Sequence, residues 1–183
     1  MHGIIFKQLF QFVRENHGQK ALKEILYGCG LGMKYYDPTQ AYPDHEVEQI
    51  LDAVCKMLGV SRDSVLEAFG QYITPSLYKR FSAFIREEWD AMDLIENIEV
   101  MIYGSVKTTQ NNVASPTLII NRKGKDEITI SYTSKRDALA FGIGIVRAIG
   151  KHYNTKLTIK RSGATGNEVL TIKRVRNTTP VLS

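Results

Sequence analysis

The hydrophobic period changes once along this 183-residue chain, and that switch constrains the fold more than any other feature. Up to about residue 103 the apolar residues recur at three- and four-residue spacing, which places them on one face of a helix. GIIFKQLFQFVREN carries them at 4, 5, 6, 9, 10, 12 and 13 and stops before Gly18. KALKEILYGCG repeats the pattern at 21, 22, 25 and 26 and closes at Gly28, a usual C-terminal glycine. MKYYDPTQAYP (33–43), with two prolines, predicts a loop. Asp44 is placed to cap HEVEQILDAVCKMLG, which Gly59 closes, and Ser61 to cap DSVLEAFGQYI, which Pro75 is expected to interrupt. LYKRFSAFI and EEWDAMDLIENIEVMIY read as two further helical segments.

Beyond residue 116 the pattern becomes extended. TLIINRKGKDEITISYT is two strand-like runs around a Lys-Gly turn. RDALAFGIGIVRAIGKHY then reads as a helix with apolar or small residues on most sides, hence well buried. A second hairpin follows as KLTIKR, the turn SGATGN and EVLTIKRV. Helices followed by a small antiparallel sheet of about four strands around buried helices make an α+β plan. There is no internal repeat and no low-complexity linker. The expectation is one domain over residues 1–183, with a helical N-terminal subdomain over about 1–60 and a pocket- and sheet-bearing subdomain over about 61–183.

Composition narrows the class. An apolar fraction of 43% with 23% charged residues fits a globular protein, and no apolar run approaches the ~20 residues that span a membrane. Cys29 and Cys55 form no CxxC and have no neighbouring His pair, so two cytoplasmic thiols are expected rather than zinc or redox chemistry. The net charge of +5 is unevenly spread: residues 1–106 carry 10 Lys/Arg against 15 Asp/Glu, and residues 107–183 carry 14 against 4. Such a basic half suits nucleic acid, an acidic protein partner or an anionic ligand. No aromatic-rich RNA signature or recognition helix supports nucleic acid. GCGLG at 28–32 follows no strand and lacks phosphate-loop spacing, and no nucleophile–base pair is visible, so an enzyme is not expected.

The segment YTSKR (132–136) holds the most chemistry. Alternation in a strand points Tyr132 and Ser134 the same way, and Arg136 follows where strand gives way to helix. Two hydroxyls and a forked cation near a helix start suit a carboxylate or phosphate. The plainer alternative is a surface strand end at which Ser134 caps the next helix.

With these motifs in this order, the chain resembles the heme–nitric oxide/oxygen binding (H-NOX) family, the gas-sensing domain also found in soluble guanylate cyclase. The resemblance starts with MHGIIFKQLFQFV, continues through AYPDHEVEQILDAVCKMLGVSRDSVLEAFGQYI and reaches YTSKR, so it covers nearly the whole chain. It implies the H-NOX fold. It also implies that Tyr132, Ser134 and Arg136 form the clamp for the two heme propionates, that Pro116 in VASPTL presses on the ring, and that Ile5 touches it. The family's proximal histidine, its iron ligand, lies thirteen residues before that proline, and here that position is Tyr103 in IEVMIYGSV. None of the histidines (2, 17, 45, 152) falls nearby.

A phenol, with a pKa of about 10, binds iron usefully only as phenolate and favours the ferric state. Glu99 and Glu96, one and two turns earlier, oppose that charge. Tyr103 therefore reads in three ways: a ferric heme ligand, a lining residue of a pocket whose heme lacks protein ligation, or a packing aromatic. Where oxygen-binding relatives carry a tyrosine, this chain has Phe141, which donates no hydrogen bond. Leu9, Ile73 and Leu77 read either as distal wall or as core. The resemblance implies a heme-based gas or redox sensor acting in trans on a histidine kinase or diguanylate cyclase. The alternatives are a heme-free relative binding an anionic amphiphile such as a fatty acid, or a scaffold that needs no ligand.

Overall fold

In the computed structural model, the residues described are 3–32, 34–99, 117–135 and 137–176. Helix α1 (Gly3–Gly28) is two helical segments that meet at Gly18, whose φ of 86° and ψ of 164° lie outside the helical range. Glycine takes that conformation without a Cβ penalty, so the expected break is present. Helix α2 (Asp44–Leu58) buries Val47, Ile50, Leu51 and Val54 and ends at Gly59, whose left-handed backbone turns its N–H onto the Cys55 carbonyl. Pro43, not Asp44, stands at its N-cap; Asp44 already belongs to the first turn.

Helix α3 (Arg62–Phe81) begins where expected, with the Ser61 hydroxyl accepting the Ser64 N–H at 3.2 Å. Pro75 does not interrupt it. A proline inside a helix costs about 3 kcal/mol, whereas burying a large apolar side chain gains about 1.5–3 kcal/mol. Phe69, Ile73 and Phe81 are all buried on this one helix, so packing outweighs the lost hydrogen bond. A 3₁₀ turn follows at Ser82–Phe84. The next helix, α4 (Ala91–Glu96), starts later than its sequence suggests. Asp90 accepts the Met92 and Asp93 N–H groups while the Asp93 carboxylate accepts the Asp90 N–H, a reciprocal cap that fixes the start.

Strands β1 (Thr117–Lys123), β2 (Glu127–Thr133), β3 (Leu157–Ala164) and β4 (Asn167–Arg174) form one antiparallel sheet in the order β1-β2-β4-β3, with helix α5 (Leu139–His152) between the two hairpins. The second hairpin is longer than its motif predicts. Ser162, Gly163 and Ala164 pair within β3, leaving Thr165 and Gly166 as the turn, with Gly166 at φ 88°. One buried cluster joins α1, α2 and α3 through Phe6, Leu9, Ile50, Val54 and Phe69. A second joins α4, α5 and the sheet through Met92, Ile95, Ile128, Ile145 and Leu170. Leu77 and Phe141 pack against both. Among the described residues no helix is long and apolar enough to cross a membrane.

Candidate ligand pocket

Alternation along β2 turns Ile128, Ile130 and Tyr132 toward the interior, and Tyr132 is only 6% exposed. A phenol buried that deeply needs partners for its oxygen. The Ser134 side chain and the Ala138 backbone both hydrogen-bond to it. Burial raises its pKa, the charges of Glu168 and Asp137 push the same way, and these outweigh the two hydrogen bonds, so Tyr132 stays a neutral phenol. The Ser134 N–H donates to the Gly166 carbonyl at 3.0 Å, which ties the end of β2 to the turn between β3 and β4. Ser134 does not cap α5: that helix starts at Leu139, after Ala138, without a side-chain cap. Its side chain serves Tyr132 instead.

Tyr132 lies on the wall of a cavity of about 100 Å³ between α5 and the sheet. Ile98, Leu118, Ile130, Leu139, Phe141, Val146 and Leu170 make that wall apolar. The Phe141 ring also meets Phe69 of α3 at 5.4 Å between centroids, so the wall touches the first helical cluster. The structure thus brings together Tyr132, Ser134 and Phe141. Ile5 lies elsewhere, half-buried on α1 against the first cluster, and does not line the cavity. Leu9 and Ile73 are core of that same cluster. Tyr103, Pro116 and Arg136 lie outside the described residues. His17 and His45 are exposed and His152 packs on Tyr78, so none of these three reaches the cavity. Among the described residues no cluster of His, Cys, Asp and Glu could hold a metal ion.

One charged residue beside this pocket escaped the sequence reading. Glu168, 3% exposed, pairs with Tyr132 across β2 and β4. One of its oxygens takes both Nε and an NH2 group of Arg161 at 2.6 Å, while the buried Oε2 accepts no hydrogen bond among the described residues. Arg161 also grips Asp63 in the first turn of α3 at 2.6 Å. The signal was present in EVLTIKRV: Glu168 is in phase with the buried Leu170 and Ile172. A carboxylate on the inward phase of a strand needs a cation, and Arg161 is that cation.

A planar apolar macrocycle bearing two carboxylates needs apolar walls and donors gathered at one edge. The cavity walls and the Tyr132–Ser134 pair meet those two requirements, while the cavity of about 100 Å³ bounded by the described residues holds only part of such a ring. The sequence profile of the haem-NO-binding family (HNOB) matches residues 2–161. Among solved structures, an H-NOX protein from S. oneidensis in its Fe(II)NO state is 22% identical, with a TM-score of 0.84 over 96% of this chain and 100% of that one. The Fe(II) unliganded H-NOX protein from K. algicida is 21% identical, with a TM-score of 0.85 over 97% of this chain and 98% of that one. An oxygen-binding H-NOX domain related to soluble guanylate cyclases is 19% identical, with a TM-score of 0.78 over 96% of each chain. These likenesses bear on the fold, which is H-NOX-like as expected. No curated protein matches this sequence.

Proposed function

The chain belongs to the haem-NO-binding family, and from that premise we propose that it is a ligand-binding sensor domain over residues 1–183 whose pocket is built for heme. The observation that carries this reading is the buried Tyr132 hydroxyl, held by Ser134 and Ala138 at the wall of an apolar cavity beside α5. In this reading Tyr132, Ser134 and Arg136 would hold the carboxylates, Pro116 would press on the ring, Ile5 would act from the neighbouring α1 cluster rather than from the cavity wall, and Phe141 would line the side that a gas approaches. Heme, when bound, supplies an iron centre for a diatomic gas such as NO or for a redox change. Phe141 offers that gas no hydrogen bond, so this position does not stabilise O₂. Tyr103 would supply the iron ligand, and as a phenolate it would favour the ferric state.

The output is a change of contact with a separate signalling protein of the histidine kinase or diguanylate cyclase kind. Phe141 is the physical link, because its ring lines the pocket while its helix α5 rests directly on α3. The role is binding rather than catalysis, in the cytoplasm. A second reading is favoured by walls that are aliphatic and aromatic, with no histidine among the described lining residues. In it the pocket holds an anionic amphiphile such as a fatty acid, or the chain is a ligand-free scaffold.

The test is an absorption spectrum of the purified protein before and after hemin, with mass spectrometry of an organic extract. Stoichiometric hemin uptake, weakened in Arg136→Ala and Tyr132→Phe, supports the heme reading. Colourless protein that takes up no hemin and releases a fatty acid replaces it with the second reading. Neither hemin nor lipid leaves the scaffold.

A further inference from the structure

The second half of the chain is strongly basic, and the described lining of the apolar cavity takes none of that charge. Beside the C-terminal end of α5 the surface opens into a groove of about 680 Å³, bounded by Gln71 of α3, Arg147 and Lys151 of α5, Lys156 before β3 and Arg174 at the end of β4. Four cations line it, but they are not equivalent. Arg147 is committed to Glu67 at 2.5 Å, and Arg174 to Asp90 and Asp126. Lys151 and Lys156 are exposed and form no ion pair among the described residues.

We propose that this groove docks an acidic segment of a partner protein, with Lys151 and Lys156 as the residues that receive its carboxylates. The proposal rests on the reading that the chain acts on a separate protein, and it supplies the chemistry of that partner.

Three features select protein carboxylates over a phosphate or a nucleic acid. The free cations are lysines, point charges on long stems, whereas both arginine forks that would grasp phosphate in bidentate fashion are already occupied. The C-terminal end of α5 points its partial negative charge at the groove, and Lys151 lies in its last turn. That field tolerates single carboxylates paired to lysines better than a compact multivalent anion. The described lining also contains no aromatic side chain on which a base could stack. The placement suits a signal. Its cations sit on α5 and at the ends of two strands, so a shift of α5 against the sheet changes their spacing.

The experiment uses the full chain and a fluorescein-labelled twelve-residue peptide rich in Glu and Asp, followed by anisotropy at low and at physiological salt. The wild type is expected to bind with an affinity that falls as salt rises. Lys151→Glu with Lys156→Glu is expected to weaken binding about tenfold or more, the scale of reversing two contacting charges. Lys20→Glu with Lys23→Glu, on exposed positions of α1, changes the net charge equally and is expected to leave binding intact. Both double variants alter exposed residues, and a thermal melt confirms that each is folded. Equal loss in the two double variants, or no binding by the wild type, overturns the proposal. Tighter binding of a single-stranded oligonucleotide that also depends on Lys151 and Lys156 overturns it in favour of nucleic acid. Hemin uptake is read separately, so a failed groove and a failed pocket are distinguishable.

Discussion

Gly70 of α3 and Gly144 of α5 meet backbone to backbone. A Cβ added to Gly70 would stand 2.2 Å from the Phe141 carbonyl oxygen, and one added to Gly144 would stand 2.1 Å from that of Glu67. The absence of two side chains is what lets these helices touch. It also sets the height of Phe141 above the pocket, because Phe141 lies one turn before Gly144 on the same helix.

Gly144→Ala is therefore expected to destabilise the fold by about 3 kcal/mol, at the upper end of overpacking costs, because backbone rather than a flexible side chain opposes the new methyl. Gly142→Ala is the control. A Cβ there meets nothing within 4 Å, and alanine in a helix interior gains about 1 kcal/mol over glycine. Denaturant unfolding of the two variants checks the pair. Equal effects from both would mean that the α3–α5 contact relaxes more freely than its geometry implies.

Gly142 also lines the cavity. Gly142→Leu is expected to fill it and to lower hemin or lipid uptake at least tenfold with little loss of stability, measured by titration alongside a thermal melt. Undiminished uptake in a folded Gly142→Leu protein would place the ligand elsewhere.

Removing the Tyr132 hydroxyl takes a hydrogen-bond partner from the Ser134 side chain and from the Ala138 backbone, both half-buried. Tyr132→Phe is expected to cost about 1–3 kcal/mol of stability, the usual penalty for a buried polar group left unpaired. Urea unfolding provides the measurement, and a cost near zero would show that water replaces the phenol.

Glu46, buried on α2, takes Lys34 at 2.7 and 2.8 Å and the Tyr36 hydroxyl at 2.6 Å. Burial alone would raise its pKa, but the bonds from Lys34 and Tyr36 and the Lys34 charge outweigh it, leaving the carboxyl below its ordinary value of 4.5. A lowered folded-state pKa stabilises the protein above the unfolded value, and that stability is lost as pH falls through the folded value. Glu46→Gln is expected to cost about 2–3 kcal/mol at neutral pH, below the usual penalty for a fully buried pair because Lys34 is partly exposed. The difference from wild type should shrink as pH drops below about 4.5. A difference that is constant from pH 7 to pH 3 would show that the charge of Glu46 contributes nothing.

Tyr103→His is expected to create or strengthen ferrous heme binding, read from the spectrum of the hemin complex before and after reduction. An unchanged affinity and spectrum would remove residue 103 from the iron-ligand position.

Periodicity alone determined the α+β plan. Spacing of three and four residues in the first half, alternation in the second and glycines at 18 and 59 set the elements, because these patterns depend on local geometry. The YTSKR segment likewise announced that Tyr132 and Ser134 share a side, since strand alternation is local. Tertiary structure decided the rest. Pro75 stays inside a helix because Phe69, Ile73 and Phe81 bury on the same element, which no single residue reveals. Glu168 becomes a buried partner of Arg161, and Arg161 of Asp63, only when β3, β4 and α3 converge across 98 positions of sequence. Gly70 and Gly144 read as ordinary glycines in a helical pattern until two backbones are placed in contact. Local rules specify which faces are apolar; which faces meet, and how closely, depends on the packing of distant segments.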